Sequence, residues 1–181
     1  MAQVKGYELV EKKNALNQIR KNNMTLQELR LFSIYLSKIN ARDISTRKVT
    51  FTLENFCKIM EIKGNPVQIR ENMHHLLQQI VDIPNEDGTK GFTAIQLFKR
   101  CKLMQEKETG QWFFEIEAHD EALPYMFDFK EKYFTYELWN VLRLKSCIQL
   151  RMFEILNQYE YIGSCRLSLK KLRELLCFAS K

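Results

Sequence analysis

The sequence is short of the residues that interrupt regular structure. Six glycines and three prolines in 181 residues are too few for a loop-rich or collagen-like chain. Apolar runs are also short: none approaches the roughly 18 residues that a membrane-spanning helix requires. Residues 1–14 lack the apolar core of a secretory leader, so a cytoplasmic protein with no membrane partner is expected. The five cysteines, Cys57, Cys101, Cys147, Cys165 and Cys177, are scattered and odd in number, with no Cys-x-x-Cys spacing. Neither a disulfide framework nor a zinc site is supported, and reduced thiols are expected. Histidine is limited to His74, His75 and His119. A metal-dependent nicking site needs a His-x-His pair, and adjacent histidines on a helix point to different bearings. No Gly-x-x-x-x-Gly-Lys-Ser/Thr loop is present, and Gly88-Thr89-Lys90-Gly91 reads as a hairpin-type turn. No enzymatic activity and no cofactor or metal are expected.

What is present is enough apolar material for a core, 45% of residues, and a net charge of +6. The charge is unevenly placed. Residues 1–48 hold ten Lys/Arg against four Asp/Glu, residues 49–132 ten against fourteen, and residues 133–181 eight against four. Two basic ends around an acidic middle suit an anionic partner met at two surfaces.

Residues 7–10 alternate as a short strand would, and Asn14 is placed to cap a short helix over 15–19 that Lys21-Asn22-Asn23 stops. Thr25-Leu26-Gln27-Glu28 has the spacing of a capping box and opens a helix to about Ile39. That helix is apolar almost all round, with only Arg30, Ser33 and Ser37 as a polar stripe, so it should be central and buried. A strand over 48–52 follows, then a short helix over 53–60 capped by Thr52. After the turn Lys63-Gly64-Asn65, Pro66 opens a second helix. Ile69, Met73, Leu76 and Ile80 form its apolar stripe, so it is expected to reach Ile80 with Arg70, His74 and Gln78 on the opposite face. A long strand over 92–105, a turn at 106–110 and a partner strand over 111–117 would complete a winged helix. A short helix over 118–127, interrupted near Pro124, closes this first unit. After the charged run 128–132 the order restarts: a helix over 136–144 capped by Thr135, an apolar stripe to Tyr161, a strand at Arg166-Leu167, and a helix over 169–177 capped by Ser168. The fold class expected is α+β, mainly helical. Residues 1–130 form a first winged helix, and residues 131–181 form part of a second that stops before its recognition helix and wing.

Three segments carry a family resemblance: Lys13-Asn14-Ala15-Leu16, the run MTLQELRLFSIYLSKIN at 24–40, and YFTYELWNVLRLKSCIQLRMFEILNQY at 133–159. In these the chain resembles the iteron-binding plasmid replication initiators, which carry two tandem winged helices. The resemblance implies a replication initiation protein that binds double-stranded origin repeats, forms homodimers through its first domain and works with host replication proteins. In such proteins the second domain's recognition helix reads bases in the major groove. The readings that compete with initiation are a dimerising regulator or inhibitor without DNA readout, and a transcriptional repressor.

Phosphate contacts need Lys, Arg and amide donors, and base readout needs side chains that enter a groove. In the first unit the candidates for DNA binding are Arg70, His74 and Gln78, with Lys99, Arg100 and Lys102 on the hairpin. In the second unit they are Lys145, Ser146 and Arg151 near a helix break, and Lys170, Lys171 and Arg173 on the last helix. Trp112 and Trp139 read as packing anchors.

Overall fold

The computed structural model describes residues 8–17, 24–85, 89–128, 130 and 132–176. In order the elements are β1 (Leu9–Lys13), α1 (Asn14–Asn17), α2 (Leu26–Lys38), β2 (Lys48–Thr52), α3 (Leu53–Met60), α4 (Pro66–Leu77), β3 (Ile80–Pro84), β4 (Phe92–Gln96), β5 (Phe98–Gln105), β6 (Trp112–Ala118), α5 (Leu123–Met126), β7 (Tyr133–Glu137), α6 (Leu138–Leu142), α7 (Cys147–Gln158) and α8 (Leu169–Leu175). The stop expected at residues 21–23 and Cys177 lie outside the described residues, and the four described cysteines are free thiols.

The fold is built round α2. Its capping box is complete: the Glu28 amide donates to Thr25 Oγ1 and the Thr25 amide donates to the Glu28 carboxylate. Leu29, Leu31, Phe32, Ile34, Tyr35 and Leu36 are all buried, so the helix contributes nearly its whole circumference to the core. Ser33, expected on a polar stripe, is buried too and is satisfied by donating to the Leu29 carbonyl. Phe98 meets Phe32 and Tyr35 edge-on at 6.0 and 5.2 Å, and Phe56 stacks on Phe114 at 3.8 Å.

A three-stranded antiparallel sheet in the order β2-β6-β5 packs with α2, α3 and α4 in winged-helix order. Thr52 caps α3, Asn65 caps α4 and Pro66 sits in the first turn of α4, as the local signals require. Two non-local features depart from expectation. First, α4 ends at Leu77, and Ile80 begins β3, where its side chain is exposed. Second, the strand over 92–105 is broken at Leu97 because its halves have different partners. β4 pairs with β3 and β5 pairs with β6. At the break, the Leu97 amide donates to Gln79 O and the Leu97 carbonyl accepts from the His119 amide, stitching the β3–β4 hairpin to the larger sheet.

After residue 132 the chain returns to where it began. The segment expected as a helix over 136–144 is β7 followed by the short α6. β7 runs antiparallel to β1 from Leu9↔Glu137 to Lys13↔Tyr133. Tyr133, Phe134, Thr135 and Tyr136 are strand formers, and the available edge of β1 decides between strand and helix. Phe134, Tyr136, Leu138, Val141 and Leu150 are contiguous with the core of the first unit. Thr135 therefore lies within a strand and Ser146 provides the helix cap, at α7. No strand forms at 166–167, but Ser168 caps α8 as expected.

A buried ionic cluster locks this return. The Lys12 ammonium donates to Glu154 Oε1 at 2.6 Å, and the Tyr136 hydroxyl donates to the same oxygen at 3.0 Å. Arg151 lies 3.7 Å from the other Glu154 oxygen and donates to the carbonyls of Asn17 at 2.9 Å and Leu175 at 3.1 Å. Asn17 in turn donates to the Glu154 carbonyl. Burial pushes the Lys12 pKa below its ordinary value, with Glu154 opposing that shift, and it pushes the Tyr136 hydroxyl well up. One cluster thereby ties together β1, α1, β7, α7 and α8. Arg151→Met should cost about 3 kcal/mol in urea unfolding, since it removes one partner from a buried charge set. Amides of residues 169–176 should also exchange faster in the variant, because the hold on Leu175 is lost. Unchanged exchange there would show that α8 is held by its apolar contacts alone.

Candidate nucleic-acid interface

The polar side of α4 faces solvent because the helix is fastened by its other side. Ile69 and Leu76 are buried, and Met73 packs against the core. His75 is drawn to α2, where its Nδ1 meets the buried Glu28 carboxylate. Arg70 and His74 are left exposed, and Gln78 follows as the exposed C-cap. Lys102 on β5 is also exposed, across a groove that Arg70, His74 and Lys102 line together. None of these three makes a hydrogen bond or ion pair through its side chain among the described residues.

The other two hairpin cations are differently placed. Lys99 pairs with Asp120 at 3.1 Å and Glu117 at 3.3 Å, and Arg100 with Glu115 at 2.9 Å and Glu117 at 3.1 Å. Arg47 joins them through Glu117 and Asp120. Glu117 is buried beneath three cations, so Lys99 and Arg100 are engaged in holding the sheet's outer face. Their expected place along a nucleic-acid backbone is thus held by intramolecular carboxylates.

The candidates from the second unit are scattered. Arg151 is 3% exposed and belongs to the buried cluster, which corrects its expected position on the surface. A guanidinium whose donors are turned to backbone carbonyls inside the protein cannot reach a phosphate from there. Ser146 caps α7 by accepting from the Gln149 amide, while Lys145 is exposed beside it. Arg30 places that loop: one arm donates to Leu144 O at 2.7 Å and the other to Glu61 at 2.8 Å, at the C-terminal end of α3. Gln27 and Arg30 together hold the Glu61 carboxyl below its ordinary pKa. Lys170 and Arg173 are exposed on α8 and Lys171 is half-buried, and none of the three lines the α4 groove.

Trp112 was expected only as a packing anchor. It is 42% exposed and lines the groove, as does Cys101. Burial pushes the Cys101 thiol up to about 12, so it stays protonated and unreactive at neutral pH. The position of Trp112, two residues after Gly110 in the hairpin turn, is the sequence signal that places it at the mouth.

The ionic network gives a titration that can be measured. The Asp120 carboxyl is held below its ordinary range, first by the hydrogen bond from Lys99 and then by Arg47. A depressed folded-state pKa contributes stability above the unfolded value of about 3.9, and that stability is lost as pH falls through the folded value. Lys99→Ala should move the Asp120 carboxyl upward in a carbon-detected NMR titration. The difference in stability between wild type and variant should shrink on acidification. An Asp120 titration unmoved by the substitution would place the cause with Arg47.

The family model described as "Initiator Replication protein, WH1" matches residues 9–157. No match is found among curated proteins. The match runs from β1 into the last turn of α7 and so covers the winged-helix elements together with the β7–α6–α7 return. The chain belongs to the plasmid replication initiators.

Proposed function

We propose that this protein binds double-stranded origin repeats through α4 and the β5–β6 hairpin, and acts as a replication initiation protein rather than an enzyme. The observation that carries the reading is the cluster of unpaired Arg70, His74 and Lys102, facing solvent on the helix and hairpin of a winged helix. Cations already neutralised by carboxylates add little to phosphate binding, whereas unpaired ones release counterions from DNA. Lys145, beside the α3 end, extends the same basic side, and Lys170, Lys171 and Arg173 offer a second contact from α8. Self-association, transfer of opened DNA to host replication proteins and a cytoplasmic location complete the proposal. Exposed Ile80 and Phe92 on the paired strands β3 and β4 support self-association, as apolar surface that a second copy would cover.

Fluorescence anisotropy on an origin-repeat duplex and a scrambled duplex, at two salt concentrations, tests the reading. Arg70→Ala and Lys102→Ala should each weaken binding and lower the slope of log affinity against log salt by about 1. Lys99→Ala should change that slope by less. Absence of any duplex binding at low salt, with a dimer intact by light scattering, would favour the regulator that does not engage DNA.

A further inference from the structure

The groove between α4 and the β5–β6 hairpin has a volume of about 680 Å³ and an aliphatic floor of Leu53, Ile69, Met73 and Leu103. The Trp112 indole separates it from a second concavity of about 650 Å³ against α3. Arg70 and Lys102 stand at the rim of the first, and Lys58 and Lys63 at the rim of the second. None of these four cations has a hydrogen bond or ion pair through its side chain among the described residues. Glu54 is the single carboxylate among the lining residues of the two concavities.

We infer that this double groove docks an acidic peptide segment of a partner protein, whose apolar side chains fill the floor and whose carboxylates meet the rims. Charge and shape select this occupant. A duplex presents phosphates and the edges of stacked base pairs to a protein surface, so it can meet the rims but offers the aliphatic floor little beyond a thymine methyl. A single strand needs a succession of aromatic faces, and here one indole stands over aliphatic side chains. An acidic segment with Leu, Phe or Met anchors satisfies both parts, with the aromatic wall as the kind of residue that dominates binding energy. Met73 in the floor can adapt its three rotatable bonds to different anchors.

The inference rests on the groove used by the duplex reading and names the chemistry of a protein partner there. It depends on the floor, which duplex binding does not use. Two consequences follow: peptide and duplex compete for Arg70 and Lys102, and a floor substitution separates them.

The test uses the full chain with Trp139→Phe, so that fluorescence reports Trp112. A displayed library of random 12-residue peptides is selected on it, and the winners are synthesised and titrated. Selected peptides should be rich in Asp and Glu alternating with Leu, Phe or Met, and should change the Trp112 emission saturably. The double variant Arg70→Glu/Lys102→Glu should weaken them by about tenfold or more, as loss of two charge contacts implies. Met73→Lys should weaken them comparably while leaving duplex affinity equal or higher. Winners without acidic bias, or winners indifferent to both variants, would overturn the inference. So would an oligothymidylate that binds at Trp112 more tightly than any selected peptide, which would assign the groove to single-stranded nucleic acid. If the protein without groove substitutions binds the duplex but selects no peptide at Trp112, this inference alone is removed; peptide binding there without duplex binding removes the duplex reading alone.

Discussion

The arrangement of this molecule depends on a carboxylate that has no access to water. Glu154 is 1% exposed and shares its site with Lys12, at 3%, and Arg151, at 3%. Charges at such depth are tolerated when they are paired, because removing any one leaves another alone in a poor dielectric. The pairing here draws on elements from both ends of the described chain. Lys12 comes from the first strand, Tyr136 from the seventh, Arg151 and Glu154 from α7, and the carbonyls that finish Arg151 come from α1 and α8. No two of those elements can shift independently without exposing or orphaning a charge. The pairing of β1 with β7 is thus fixed from the inside as well as along the ladder.

Sequence patterning made the local parts of the fold legible and the long-range parts opaque. The box at Thr25–Glu28, the caps at Thr52 and Ser168 and the start of α4 at Pro66 each depend on atoms within four residues, so they could be read directly. Ile80 misled because its position continues the α4 stripe in phase while also opening the alternation of β3, in which Val81 and Ile83 are the buried residues. Residues 92–105 read as one strand because apolar residues recur along them, and the only local trace of the change of partner is the break in alternation at Leu97-Phe98, both buried. β7 was concealed more thoroughly, because Tyr136–Leu144 tolerates a helix and its strand partner lies more than a hundred residues earlier.

The candidate interface divides in the same way. The exposed face of α4 follows from helical periodicity, so Arg70 and His74 could be placed from sequence. The engagement of Lys99 and Arg100 could not, because it depends on the β5–β6 register that sets Arg100 opposite Glu117. Arg151 shows a further limit. Next to Leu150 and Met152, it reads as a surface cation at a helix break, yet its helix phase buries it beside Glu154, one turn away.

These placements turn an overall charge of +6 into something more selective. Long-range attraction to an anion follows the net charge, but contact follows only cations that are not already satisfied. Arg47, Lys99 and Arg100 are closed by Glu115, Glu117 and Asp120 on the outer face of the sheet, and Lys12 and Arg151 are closed in the core. On the α4 side, Lys58, Lys63, Arg70 and Lys102 remain open round an aliphatic floor. The acidic residues of the middle segment therefore do not dilute the basic surface evenly. They neutralise Arg47, Lys99 and Arg100 and leave Lys102, farther along β5, open to solvent with the cations of α3 and α4. The basic surface is thereby concentrated on one part of the winged helix without any change in its fold.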